Sequence, residues 1–311
     1  MTHTSMRTPT WRKHGKSVAK AMTAQEAIKI GNLDFTVKVS DESVYTNVGE
    51  KVISVNDKFI TYSEYPDGKI EALGVVGNRY TPIQNHDAFD LLNNIVDESG
   101  AIFDHAGRVG NGERCWISMK MPNNIVVANG QDELETYLTC INSHDGSSSF
   151  RIYTSFLRLI CTNGLTRETK GSEITLRHTV NSVIKVQEAR EALQLVFAEQ
   201  AEFENEINAM LGIKMTDKDY KNFVESLLPA IPEDATLRKQ NSVEETRSEL
   251  LGLWKAPTQQ PVANTAWAAY NAVAEYVDWF KPVRKTETMK STNRLVGESS
   301  MKNRARELLL A

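Results

Sequence analysis

The feature that most constrains this chain is a change of hydrophobic period near Ile184. Before it, apolar residues fall in short β-branched and aromatic runs broken by Gly, Asn and Asp, the pattern of strands and turns. After it, Ala189, Leu193, Val196, Phe197, Phe203, Ile207, Met210 and Leu211 recur at helical spacing over roughly six turns, with Gln200 the one polar interruption. Strands first and helices later, without β–α alternation, predict an α+β fold. We expect an antiparallel sheet with a packed helix in a middle domain, followed by a helical C-terminal region. The expected organisation is a basic arm over residues 1–20, an α+β core over 21–183, and a helical region with a basic tail over 184–311.

Local signals fill in this outline. A short helix is expected over Met22–Gly31, then strands at Phe35–Val39, Lys51–Val55, Phe59–Tyr62 and Ile70–Val76. Tyr65-Pro-Asp-Gly68 is a hairpin signal, because Pro presets φ and Gly supplies a positive φ. Asn85 is placed to cap a helix carrying Ala88, Leu91, Leu92 and Ile95, with Gly100 as its stop. Strands over Ala101–Val109 and Arg114–Met121 flank Gly110-Asn-Gly-Glu113, where Asn111-Gly112 predicts a type I′ turn. Gly107, Gly110 and Gly112 are not a phosphate loop, since no helix opening with Lys-Ser/Thr follows them. Further strands are expected at Leu134–Asn142 and Ser149–Thr162, around a polar loop. Among the helices, Ser242-Val-Glu-Glu245 is a capping box opening one toward Trp254. Thr265 caps another, with Trp267, Tyr270, Ala274, Val277 and Phe280 on one side and Pro282 beyond its end.

Composition excludes several classes. No apolar run approaches the roughly 18 residues that span a bilayer. The first twenty residues carry five Lys/Arg, no acid and no apolar signal core, so export is not indicated and a cytoplasmic setting is expected. Cys115, Cys140 and Cys161 lie far apart in apolar runs with no CxxC or Cys/His spacing, which marks them as reduced, buried small hydrophobes. Net charge is −4, yet the charge is uneven. Residues 146–186 hold six Lys/Arg against two acids, and 281–308 hold eight against three. Local basic surfaces of this kind still attract polyanions.

Each candidate site in the sequence has an ordinary role beside a functional one. His144-Asp145 beside Ser143, Ser147, Ser148 and Ser149 offers hydrolase residue types, but neighbours on one turn do not converge as a triad must. His86 and His105 have no carboxylate or second His at metal spacing. No acidic spacing suggests a Mg²⁺ site of the nuclease kind. Arg177-His178-Thr179 reads as a polar cluster or, more sharply, as a phosphate contact. On a strand, Arg151 and Tyr153 share one face while Phe150, Ile152 and Phe156 take the core face. An Arg beside an aromatic is what a stacking-plus-phosphate groove requires. The candidate DNA contacts are therefore Arg151, Tyr153, Arg158, Arg167, Lys170 and Arg177, with no catalytic residue, metal or cofactor.

Several segments carry a family resemblance. They are Leu73-Gly-Val-Val-Gly-Asn-Arg-Tyr-Thr-Pro-Ile-Gln-Asn85, Asn142-Ser-His-Asp-Gly-Ser147, Arg158-Leu-Ile-Cys-Thr-Asn-Gly-Leu165 and Arg177-His-Thr179. Thr265–Asp278, Pro282-Val-Arg284 and Thr10-Trp-Arg-Lys-His-Gly15 join them, the last resembling a Trp-His-Gly element with two residues inserted. Together they resemble the phage/plasmid-like protein family catalogued as domain of unknown function number 932. That resemblance implies a protein of a mobile element at work in bacterial cytoplasm. The helix-then-strand order of residues 85–162 is also similar to the core of phage single-strand annealing proteins, which include the Erf-like recombinases. The function expected is a non-enzymatic, homo-oligomeric single-stranded-DNA-binding protein of a phage or plasmid, aiding annealing in recombination or replication. In that picture the acidic helix over 187–211 pairs with a neighbouring protomer's basic surface. The competing expectation is a regulatory protein that binds a host or replication protein and has no DNA role.

Overall fold

A computed structural model describes residues 15–166, 173–179, 186–228, 230–232, 234–282 and 299–311. The expected DNA contacts Arg167 and Lys170, and most of the arm over residues 1–20, lie outside them.

The middle of the chain is an eight-stranded antiparallel sheet. Its strands are β1 (Lys16–Ser17), β7 (Ile102–Val109), β8 (Arg114–Lys120), β9 (Ile125–Val127), β10 (Asp132–Ser143), β11 (Phe150–Arg158), β12 (Asn163–Thr166) and β13 (Glu173–Leu176). The path runs β1-β7-β8-β10-β11-β12, and β9 pairs with β10. Both β12 and β13 share the outer edge of β11, one along each half. The sequence predicted one long strand to Thr162, whereas β11 stops at Arg158 and the chain turns back as β12. Thr162, at φ 53, lies in that turn.

A smaller sheet holds β2 (Thr36–Val39), β5 (Lys58–Glu64) and β6 (Ile70–Gly77). Between β2 and β5 the chain forms a ribbon of β3 (Tyr45–Val48) and β4 (Lys51–Ser54), of which β3 was not anticipated. Gly68, at φ 84, closes the expected Tyr65-Pro-Asp-Gly68 turn by donating to Tyr65 O at 2.9 Å. At 110–113 the left-handed positions are Gly110 and Gly112, not Asn111, so the loop is not the two-residue type I′ turn.

Two large cores form on this sheet, and a small third cluster joins Trp116, Ile141 and Tyr153. In the first, α1 (Ala24–Ile30) and α2 (Asn85–Ser99) cover Cys115, Ile117, Met119, Leu138, Cys140 and Ile152. Strand alternation sends these side chains to one face. All three cysteines are buried and free. In the second, Leu134, Phe156 and Leu165 meet the C-terminal helices α3 (Val186–Gly212), α4 (Asp217–Leu227), α5 (Leu237–Trp254), α6 (Ala266–Glu275) and α7 (Ser300–Leu310). Helix α3 bridges both, giving Ala192, Leu193 and Val196 to the first and Phe203, Ile207 and Met210 to the second. The helical region therefore shares the sheet with the middle of the chain. Phe197, expected on the buried stripe, is 47% exposed.

Helix ends follow local chemistry. Thr265 caps α6 as expected, accepting from the Ala268 N–H at 3.2 Å, and every residue of α6 is buried. The capping box lies at Thr216/Asp219, opening the unanticipated α4. Ser242 is interior to α5, which Thr236 caps instead. Gln84 holds the N-cap position of α2, because the Asn85 side chain turns inward to donate to Leu33 O at 3.0 Å.

The acidic face of α3 has a partner inside the chain. Arg306 of α7 grips Glu206 through two hydrogen bonds of 2.7 and 2.8 Å. Lys302, expected in a basic tail, is 2% exposed and pairs with Asp278 at 2.6 Å. The described part of that tail thus packs as a helix.

Candidate functional site

The segment Tyr80–Asn85 threads between β6 and α2, and most of its residues are fixed by a polar contact. Thr81 N–H donates to His178 O at 3.1 Å, and Ile83 N–H donates to His178 Nδ1 at 3.4 Å. Gln84 exchanges two hydrogen bonds of 2.9 Å with the Val37 backbone. Asn142 Nδ2 donates to Ile83 O at 2.8 Å and to Asn85 Oδ1 at 3.1 Å. Three segments singled out in the sequence, around Asn85, His144 and His178, therefore meet in one buried polar knot.

This geometry fixes tautomers. Leu33 O holds the Asn85 amide so that its Oδ1 faces His144 Nε2 at 2.9 Å. His144 must then carry its proton on Nε2, leaving a bare lone pair on Nδ1. By the same logic His178, accepting at Nδ1, carries its proton on Nε2. His144 Nδ1, His178 Nε2 and Asn142 Oδ1 are buried with no hydrogen-bond partner among the described residues. Burial and, secondarily, the neighbouring His178 push His144 down to about 3. Burial takes His178 down to about 4, against the opposing pull of Asp145. Both imidazoles are neutral near pH 7.

On the other side of β10 the same turn is polar and more open. Asp145 Oδ1 accepts from Ser143 Oγ at 2.7 Å, Ser147 Oγ at 2.5 Å and Ser147 N–H at 2.9 Å. Arg114 Nη2 donates to Ser147 Oγ at 2.9 Å. Burial alone would raise the Asp145 carboxyl, but these serines and the Arg114 charge hold it below the usual carboxylate range. Because side chains alternate along a strand, His144 points away from Ser143 and Asp145. No Ser–His–Asp relay forms.

Close packing joins this turn to β6. A Cβ on Gly74 would sit 2.6 Å from Asp145 Cα, and one on Gly146, at φ +73, would sit 2.9 Å from Val76 Cγ1. The two glycines let a strand and a loop approach more closely than side chains allow. At the rim, the Tyr80 ring stacks on His178 with centroids 5.1 Å apart, and its hydroxyl donates to Ser143 O at 3.1 Å. Burial and the Asp145 charge push the Tyr80 phenol up. Arg79 and Arg177, each beside a member of that stack, are exposed.

The expected DNA contacts scatter. Arg151 and Tyr153 do share a face, with the guanidinium 5.8 Å from the ring centroid. Tyr153 is only 4% exposed, however, and Arg151 Nε donates to Glu173 at 2.7 Å. Arg158 is fully buried, its Nε 2.8 Å from Asp132 Oδ1, with Gln259 Oε1 at 3.2 Å from Nη1. It belongs to the core face by the alternation that buries Ile152 and Phe156, and a strict count of strand parity places it there. Tyr153 as a base platform and Arg158 as a phosphate contact are thus corrected for want of exposure. Of the six, Arg177 is on the surface, beside Arg79, which the charge pattern did not single out. His86 and His105 gain carboxylate neighbours in Asp34 (3.0 Å) and Asp104 (2.9 Å). Among the described residues no group of three or more His, Cys, Asp or Glu is placed to hold a metal ion, and no helix is long and apolar enough to cross a membrane.

What these observations define is an α+β protein organised around a neutral polar knot under an arginine-bearing rim. The chain belongs to the family described as Domain of unknown function (DUF932), which matches residues 72–296 and so takes in Asn85, Asn142, His144 and His178 of the knot, both rim arginines and part of each core, but not α1 or α7. No curated protein and no solved structure matches it.

Proposed function

We propose that this protein is a non-enzymatic single-stranded-DNA-binding protein of a phage or plasmid, acting in bacterial cytoplasm and promoting strand annealing as a homo-oligomer. The observation that carries the reading is the rim. Arg79 and Arg177 are exposed on two segments tied together by the Thr81–His178 hydrogen bond and the Tyr80–His178 stack. Two guanidiniums on a rigid ledge suit successive phosphates, because backbone contacts position a strand without reading its sequence. Arg114, half-buried at the start of β8, adds a third guanidinium beside the Ser143–Ser147 turn, where it donates to Ser147 Oγ. The order of helix and antiparallel strands, similar to that of annealing proteins, adds an analogy of fold.

Fluorescence anisotropy with a labelled oligonucleotide at about 50 mM salt tests it, since phosphate contacts are strongest at low salt. Binding that weakens with salt is expected, and absence of binding there overturns the reading. A second reading, a protein that binds a host or replication protein, is favoured by the exposed apolar side chains of the β3–β4 ribbon. Capture from host lysate with and without nuclease separates the two: partners lost on nuclease treatment point to DNA.

A further inference from the structure

Asn-Gly pairs are chemically weak links, because a glycine nitrogen with no side chain behind it can attack the preceding side-chain amide. This chain has three of them: Asn111-Gly112, Asn129-Gly130 and Asn163-Gly164. The fold treats them differently.

Two are held shut. Asn111 is exposed, but its N–H donates to Glu113 Oε2 at 2.6 Å, and its carbonyl accepts from the Tyr65 hydroxyl at 2.9 Å and from Arg108 Nη1 at 3.3 Å. Gly112 N–H, the attacking group, donates to Val109 O at 3.1 Å, and a Cβ on Gly112 would sit 2.7 Å from the Phe35 ring. Asn163 is fully buried, and its side-chain oxygen accepts from Trp279 Nε1 at 2.9 Å. Gly164 N–H donates to Asp278 Oδ2 at 3.0 Å, and its carbonyl accepts from Lys302 Nζ at 2.7 Å.

Asn129-Gly130 is held more lightly. It forms the turn between β9 and β10, and both residues are exposed. Nothing lies within 4 Å of the place a Gly130 Cβ would take. The turn is left-handed, with φ of 53° at Ala128, 55° at Asn129 and 83° at Gly130. That conformation costs residues that carry a Cβ, and Ala128 has no polar side chain to offset it. The turn closes through a long hydrogen bond, Gln131 N–H to Ala128 O at 3.2 Å. Attack requires the Asn129 ψ to swing away from its 39°, which opens a strained surface turn. Local openings of this kind are far commoner than openings that break a core.

We propose that Asn129 is a spontaneous modification site, where the side-chain amide is lost to give an aspartyl or isoaspartyl residue while Asn111 and Asn163 stay intact. Gly130 N gives up its proton and bonds to Asn129 Cγ, and the side-chain nitrogen leaves as ammonia. Water then cleaves one of the two imide C–N bonds. Cleavage at Cγ leaves an ordinary peptide bond, and cleavage at the α-carbonyl leaves a link through the side chain. Either product adds one negative charge to a chain of net charge −4. The isoaspartyl form also lengthens the main chain by one carbon, in the turn that leads into the buried Asp132. DNA takes no part in this chemistry or in its test.

The full chain is incubated at one mildly alkaline pH, both folded and in urea above its unfolding midpoint. Peptides are then mapped by mass spectrometry with isoaspartate resolved from aspartate. In urea the three pairs convert at comparable rates. In the folded chain Asn111 and Asn163 fall behind Asn129 by at least about tenfold, since each additional net hydrogen bond slows opening by about a factor of five. Asn129→Gln, at an exposed position, keeps the wild-type circular dichroism and loses the acidic species that wild type gains on ion exchange. Folded-chain rates in the same ratio as in urea overturn the proposal, as does an Asn129 no faster than the other two. So does an acidic species that forms at the wild-type rate in Asn129→Gln.

Discussion

The two cores are each pinned by a buried polar network, and the networks are built on opposite principles. The knot of Asn85, Asn142, His144 and His178 is neutral, spread over three chain segments, and leaves three buried polar atoms without a described partner. The network under the helices is charged. Asp132 accepts from Arg158 and from Trp267 Nε1 at 2.8 Å, and a second pair joins Lys302 to Asp278, with Gly164 O 2.7 Å from the ammonium. A buried ion pair has to be closely satisfied, because an unpartnered charge costs far more than an unpartnered dipole. Charges thus lock helix to sheet, yet Arg158 Nη2 is also buried with no hydrogen-bond partner among the described residues, so both networks leave some hydrogen-bonding capacity unspent.

Breaking the charged network has the largest expected effect. Asp132→Ala strands Arg158 at the sheet–helix boundary and removes the Trp267 partner, costing about 3–5 kcal/mol. Chemical denaturation reads this as a lower midpoint at unchanged slope, and a loss under about 1 kcal/mol would remove the distinction between the networks. Acid comes next. His144 and His178 are held at about 3 and about 4 in the folded state, below the ordinary value near 6.5. The unfolded chain therefore binds more protons, so stability is full above about pH 6.5 and falls as pH drops toward 4, by up to about 1.4 kcal/mol per pH unit for each imidazole. Replacing His144 with Gln should flatten that fall by about one proton's worth in a pH series of denaturation curves. A slope unchanged by the substitution contradicts the burial of a neutral His144. Gly74→Ala is smaller, about 1–3 kcal/mol, since its methyl must displace the Asp145 backbone. Gly77, with nothing near its missing Cβ, is the control, and equal losses at the two positions would refute the close approach.

Much of the fold was legible in the sequence, and the unread parts have identifiable causes. The period change near Ile184, the Thr265 cap and the core-facing Phe150, Ile152 and Phe156 of β11 all depend on local spacing, and the structure agrees with them. The capping box at Ser242 was misplaced because Thr236 starts the same helix six residues earlier, and a Ser-x-x-Glu pattern carries no sign of being interior. Charge misled most. Arg158 and Lys302 count as basic surface in any tally, yet Asp132 and Asp278 lie 26 and 24 residues away in the chain and meet them only after folding. The rim was half visible: Arg177 stood out, whereas Arg79 did so only as part of a motif, because its neighbour across the rim lies about a hundred positions on.

The most direct measurement is oligonucleotide anisotropy over a salt series, comparing wild type with Arg79→Ala/Arg177→Ala. If the rim holds the phosphate backbone, wild type binds at about 50 mM salt, and the double variant binds at least about tenfold more weakly. Its slope of log affinity against log salt is shallower by about 1.4, two single-strand phosphate contacts. Equal affinity and slope in the two proteins, with the variant folded, would contradict the rim as a DNA site.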